Sequence, residues 1–157
     1  MSQEEIKKIL TEKFPDKLKE GKILGFEPSF ILVKDALLEV CRFVKELKEL
    51  GFDLVSCMSG ADYPDRFEVI YILFSFPHKH KLNLKVQLPK ENPEIESVTS
   101  IWQGANWHER EIAELFGIKF KNHPDPRPIL LPEGWDEGYP LRKDWTGKDF
   151  KRMPEFK

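Results

Sequence analysis

The stretch "FEVIYILFSFPHKHKLNLKVQL", residues 67–88, carries the pattern from which the fold is read. Residues 67–76 are almost continuously apolar and rich in β-branched and aromatic side chains, the pattern of a strand buried on both faces. Residues 82–88 alternate strictly, with Leu82, Leu84, Val86 and Leu88 on one side and Asn83, Lys85 and Gln87 on the other. That is a strand buried on one face. The polar "PHKHK" between them predicts a turn, and hence an antiparallel hairpin. His78 and His80 stand at one strand end as a conceivable metal pair, although turn histidines are more commonly solvated.

Upstream, "FDLVSCM" (52–58) reads as another strand, preceded by the helical pattern "KDALLEVCRFVKELKEL" (34–50). There Leu37, Val40, Cys41, Val44 and Leu47 make one apolar stripe, and Gly51 supplies a stop. Before the helix, "KILGFEPSFILV" (22–33) is extended and interrupted at Pro28. The strand–helix–strand order predicts a right-handed crossover if both strands share a sheet. At the start, "SQEEIKKILTEKF" holds Ser2 and Glu5 in capping-box spacing, with Ile6, Ile9, Leu10 and Phe14 on one face and Pro15 ending the helix.

Downstream, "IESVTSIWQGA" (95–105) reads as a short helix or an extended link, followed by a helix within "NWHEREIAELFG" (106–117). Beyond residue 120 the texture changes. That remainder holds half of the twelve prolines and no sustained period, so an extended or turn-like backbone is predicted. Its Ile129, Leu130, Leu131, Trp135, Leu141, Trp145 and Phe150 are poor residues to leave in water, so the segment must lie on something.

The 157 residues suit one domain with a single core, and no internal repeat is visible. A net charge of -2 argues against general nucleic-acid binding. From Tyr139 onward, however, six basic residues face three acidic ones, which suits either solvation or an acidic partner surface. The apolar runs are too short to cross a bilayer and the acidic start is unlike a signal peptide, so a cytosolic chain without its own span is expected. Cys41 and Cys57 have no C-x-x-C spacing, which excludes a thiolate-built cluster or zinc site and predicts two buried reduced thiols.

The His-Glu of "NWHE" invites a metal-helix reading. A zincin helix needs a second histidine four residues after the first, and that position is Ile112. His108, Glu109 and His123, with Asp125 near, are what a stand-alone metal-dependent hydrolase would have to use. Capping is the better account: Asn106 as N-cap, Glu109 at N3 and Gly117 at the C-terminal stop. Ile112, Leu115 and Phe116 then face the core, and Arg110, Glu111 and Glu114 form a charged ridge. No glycine-rich phosphate motif and no nucleophile elbow is present.

The segment "EREIAELFGIKFKNHPDPRPIL" resembles the signature of the 30-kDa subunit of respiratory complex I, its C subunit, shared with related energy-converting hydrogenase complexes. That signature is Glu-Arg-Glu, two free positions, an acid and two apolar residues, then after six more a His, after three a basic residue, and after one two aliphatics. Glu109, Arg110, Glu111, Glu114, Leu115, Phe116, His123, Arg127, Ile129 and Leu130 fill those places. "GADYPDRFEVIY", "LKVQLPKENPEIESVTSIWQGANW", "LLPEGW" and "YPLRKDW" extend the resemblance over residues 30–146. Pro126 and Pro128 stand where the family commonly has a leucine and a second arginine, and Tyr139 where a histidine usually precedes Pro140.

The resemblance implies a non-catalytic subunit of the peripheral arm of NADH:quinone oxidoreductase, without flavin, cluster or metal of its own. FMN, iron–sulfur clusters and quinone would belong to the assembly, as would proton translocation. The partner would be the large hydrogenase-derived subunit of 49-kDa type, the D subunit, with neighbouring peripheral-arm subunits. The chain would then sit at the cytoplasmic face of the membrane only through the complex. An equivalent place in a ferredoxin-linked hydrogenase complex is the rival within the same class.

The expected fold is α+β, helices packed on a mainly antiparallel mixed sheet, in the order helix–strand–helix–strand–strand–strand–helix. Residues 1–120 would form the domain and 121–157 an extended proline-rich arm contacting partners. Glu109, Arg110, Glu111, Glu114, Phe116 and His123 are expected to support that arm or meet a partner. Within the arm, Arg127, Arg142 and Lys143 are expected to pair with partner acids. Leu131, Trp135, Leu141 and Trp145 would be apolar anchors.

Overall fold

The computed structural model describes residues 1–21, 28–148 and 151. The extended reading of residues 22–27, Phe150, and the basic residues Arg152 and Lys157 lie outside the described residues. Helix α1 spans Gln3–Lys13 and starts as its capping box dictates: Ser2 Oγ accepts from the Glu5 amide, and Ser2 N–H donates to Glu5 Oε2. Replacing Ser2 by alanine is expected to lower stability by about 1 kcal/mol, the usual worth of an N-cap side chain. A shift in the urea midpoint at constant slope checks it.

Strands β1 (Leu18–Glu20) and β2 (Ser29–Leu32) follow, then a short 3₁₀ turn at Lys34–Ala36 that runs into α2, Leu37–Glu46. The apolar stripe of α2 is buried through Val44, but the helix ends before Leu47, short of the stop expected at Gly51. Strands β3 (Leu54–Asp62), β4 (Arg66–Ser75) and β5 (His80–Pro89) complete one sheet in the order β1-β2-β5-β4-β3. Every neighbouring pair is antiparallel except β2 with β5, so the sheet is mainly antiparallel and mixed, and the fold is α+β.

The predicted hairpin is β4–β5, with Val69 opposite Val86 and Tyr71 opposite Leu84. Phe67, Val69, Tyr71 and Leu73 join Leu82, Leu84, Val86 and Leu88 in the core. The other face of β4 departs from expectation, because Ile70, Ile72 and Phe74 are only half-buried. His78 and His80 are each bonded through Nε2, to the carbonyls of Lys48 and Leu50, so the turn histidines tie the hairpin to the chain after α2. Cys41 is buried as expected, but Cys57 is exposed. A register shift between Val55 and Cys57 lets both Ser56 and Cys57 face outward, which strict alternation would forbid.

Two further strands, β6 (Glu94–Glu96) and β7 (Lys119–Lys121), pair in parallel on either side of α3, Ala105–Phe116. Helix α3 lies against β3 at Gly60, where an added Cβ would sit 2.7 Å from the Phe116 ring. Only a glycine lets the helix approach the sheet that closely. Beyond Lys121 the described residues form turns and bends, without helix or strand.

Candidate functional site

The site begins with how α3 starts. Trp102 is buried and its indole N–H donates to the Phe52 carbonyl, fixing the turn before the helix. The helix therefore opens from Gly104, and Asn106 lies inside it without capping it. Glu109 is consequently not at N3. It points inward, fully buried, and its Oε1 accepts from the Val98 amide at 2.7 Å. Desolvation pushes its carboxyl up to about 7, against the Ser97 and Val98 hydrogen bonds that favour the charged form.

His123 lies beside it, Nε2 at 3.8 Å from Glu109 Oε2. Its Nδ1 accepts from the Asp125 amide, which leaves Nε2 to donate toward the Asn106 carbonyl at 3.3 Å. Both ring nitrogens are thus engaged by backbone, and His108, Glu109 and His123 do not converge as a ligand set. Among the described residues no group of three or more His, Cys, Asp or Glu is placed to hold a metal ion.

The next positions of α3 hold the C-terminal segment. Arg110 donates through Nε to the Arg127 carbonyl at 2.6 Å and lies 3.5 Å from the Asp125 carboxylate. One turn on, the Glu114 carboxylate accepts from three consecutive amides, Ile129, Leu130 and Leu131, at 3.0, 2.8 and 3.2 Å. Successive amides converging on one anion form a nest, here filled by the protein's own side chain. Of the charged ridge, Glu114 is therefore buried, while Glu111 is exposed.

The end of α3 is closed by the same segment. Gly117 takes the left-handed conformation at φ 73°. The carbonyls of Leu115 and Phe116, which the helix leaves without partners, accept from the Leu141 amide (3.1 Å) and from Arg142 Nε (2.7 Å). A Cβ at Gly117 would come within 2.5 Å of Arg142 and Tyr139, so the segment presses directly on the helix end. The Arg142 guanidinium also stacks over the rings of Phe67 and Tyr139. Farther on, the Lys143 amide donates to Asp62 Oδ2 at 2.8 Å, and the Lys90 ammonium bonds the other oxygen of Asp62. Burial would raise the Asp62 carboxyl, but the Lys90 ammonium and the Lys143 amide outweigh it and hold the group below its usual range.

Several residues expected to face a partner thus have intramolecular roles. Arg127 pairs with Asp125 at 2.6 and 2.8 Å, holding that carboxyl down to about 2. Trp135 and Trp145 lie ring to ring at 6.3 Å, their indoles donating to the Gly138 and Glu137 carbonyls. Leu131 is half-buried, while Leu130 and Leu141 remain exposed. Phe116 packs in the core. The sequence assigns neither Asp62 nor Tyr139 a role: Asp62 lies in a stretch, residues 60–71, that shares the family resemblance but is remote from the signature, and Tyr139 occupies a position that reads only as a departure from it.

Between α3 and this segment opens a cleft of about 640 Å³, walled by Pro128, Leu131, Pro132, Trp135 and Tyr139.

Residues 30–151 match the model of the family described as the respiratory-chain NADH dehydrogenase 30 Kd subunit. The chain is 44% identical over 144 residues to the C subunit of F(420)H(2) dehydrogenase of Methanosarcina mazei, covering 88% of each. It is 37% identical over 149 residues to the C subunit of NADH-quinone oxidoreductase of Geobacter sulfurreducens, covering 92% of this chain and 90% of the relative. The namesake from Chloroherpeton thalassium is 44% identical over 141 residues, and the match spans 88% of this chain and 58% of that longer protein. Among solved structures, the trypsin-resistant fragment (1–134) of Nqo5 superposes with a TM-score of 0.66 at 28% identity, covering 76% of this chain and 98% of that one. A chain of the membrane-bound sulfane sulfur reductase, an archaeal respiratory membrane complex, shares the fold with a TM-score of 0.71 at 23% identity, covering 98% and 96%. Together with the signature residues gathered around α3, these matches establish that the chain belongs to the 30-kDa subunit family of respiratory-chain NADH dehydrogenase.

Proposed function

We propose that this chain is a non-catalytic structural subunit in the peripheral arm of NADH:quinone oxidoreductase. There it helps hold together an assembly that moves electrons from NADH to quinone and couples this to proton translocation. The observation that carries the reading is the use of Glu114, Arg110 and Asp62 to fix an irregular segment while Leu130 and Leu141 on it stay 60% and 51% exposed. Ordering such a segment in advance lowers the entropic cost of binding, and its exposed apolar side chains are left for another surface. Residues 121–157 act as the contact arm, and the large subunit of hydrogenase descent is its main partner. FMN, iron–sulfur clusters and quinone are carried by other subunits. The chain reaches the cytoplasmic membrane face through the complex; none of its described helices is long and apolar enough to cross a membrane.

One observation favours a variant of this reading. Relatives of comparable identity are named for F(420)H(2) dehydrogenase and for NADH-quinone oxidoreductase, so the same subunit serves complexes with different donors. A subunit common to both has no need to touch the donor, which supports a structural role whichever donor the complex uses.

A chain ending at Lys121 is expected to fold yet fail to copurify with the large subunit. The trypsin resistance stated for the Nqo5 fragment, which aligns with 76% of this chain, supports a core that stands alone. Circular dichroism and affinity purification from cells expressing the complex measure both points. Copurification at the wild-type level would sink the assignment of the arm.

A further inference from the structure

The last stretch of the arm, from Tyr139, carries an excess of positive charge in sequence, yet the arm's described cations are largely committed. Arg127 is bound to Asp125, Arg142 to the Phe116 carbonyl and two aromatic rings, and Lys148 to Glu137. The opposite holds at the cleft beside α3. Its rim carries Glu133 and Asp136, both exposed, and neither makes an ion pair or hydrogen bond to a described residue. No described lysine, arginine or histidine lines the cleft. Its walls are flat and apolar: the Trp135 ring, the Tyr139 ring that also meets the Arg142 guanidinium, two prolines and Leu131. The Trp135 indole is held in place by its bond to the Gly138 carbonyl, and the wall opposite is fixed by the three amide bonds to Glu114.

Aromatic faces beside uncompensated carboxylates match one side-chain chemistry. A guanidinium or ammonium stacks on the ring quadrupole and pairs with the acids, while its methylene stem or an apolar neighbour fills the rest. We infer that this cleft is a docking site for a basic segment of a neighbouring subunit, an arginine or lysine next to an apolar side chain. The polarity is the reverse of that read from the charge of the arm's last stretch: here the chain offers acids and the partner supplies the cation. The inference rests on the reading of the chain as a complex subunit.

The test uses the assembled complex, purified through a tag on this chain, with E133K/D136K and E133Q/D136N introduced at the rim. In low salt the charge-reversed complex is expected to retain neighbouring subunits at least roughly tenfold less than wild type, and the neutral variant to fall between. Thermal unfolding of both isolated variants should match wild type, since neither carboxylate bonds a described residue. A photo-cross-linker at Leu131 in the wild-type complex should capture a peptide of another subunit with an arginine or lysine within three residues of the link. Undiminished retention in E133K/D136K, or a captured peptide without a basic residue, overturns the cleft assignment while complex membership stands. A wild-type chain that brings down no other subunit overturns the subunit reading, and the cleft assignment falls with it.

Discussion

E109Q is expected to be more stable than wild type above pH 7, by about 3 kcal/mol, and to match it near pH 4.5. The carboxyl titrates at about 7 in the folded chain against 4.5 when free. A raised folded-state value means that the native protein binds the proton more tightly than the unfolded chain. The stability this provides is fully present below pH 4.5 and is lost as pH rises through 7. A separation of that size corresponds to about 3 kcal/mol. Glutamine keeps the carbonyl oxygen that accepts from Val98 but never becomes a buried anion. His123 lies 3.8 Å from the carboxylate, Ser97 and Val98 hydrogen-bond to it, and the buried Tyr71 and Cys41 feel its charge; none of these is a fixed cation, and desolvation prevails. Urea unfolding of both proteins at pH 5 and pH 8 isolates the effect. Equal pH slopes in the two proteins would show that Glu109 is not the buried acid described.

E114A is expected to detach the arm locally. Three amides lose a carboxylate acceptor at once. Bonds to a charged group contribute about 1.5–3 kcal/mol each, but partial exposure and partial replacement by water leave a net loss of about 3 kcal/mol. Amide exchange at residues 129–131 should accelerate roughly 100-fold, with core strands unchanged. E111A, on the exposed side of the same helix, should alter stability by less than about 0.5 kcal/mol. E114Q should fall between. Unchanged exchange at residues 129–131 in E114A would show that the nest does not hold the arm.

The hairpin and the first two helices are legible in the sequence because each rests on a local repeat: alternation along residues 82–88, the stripe from Leu37 to Val44, and the Ser2–Glu5 cap. Strands β1, β6 and β7 escape such a reading because each is only three residues long, too short to show a period. The start of α3 is displaced from its expected place by a long-range bond, Trp102 to Phe52, which no window around "NWHE" contains. Cys57 looks buried in the sequence because a bulge cannot be seen in alternation. In the candidate site, residue types announce the family pattern, but sequence does not say whom each residue faces. Arg142 looks like a cation for a partner acid and instead donates to the Phe116 carbonyl, and Asp62, from the end of β3, holds the arm at Lys143, a contact 81 residues apart that no local pattern shows.

The seat of the arm is assembled from pieces remote in the chain: Asp62 of β3, the Phe67 ring on β4, and the Leu115 and Phe116 carbonyls at the end of α3. A lone hairpin offers one piece of it and a lone helix another. The arm can lodge only where sheet and helix have already met, and the cleft, bounded by arm and helix together, exists only on that finished product. On the docking assignment proposed above, a partner that engages the cleft binds only the folded subunit. A chain in which sheet and helix have not met lacks that receptacle.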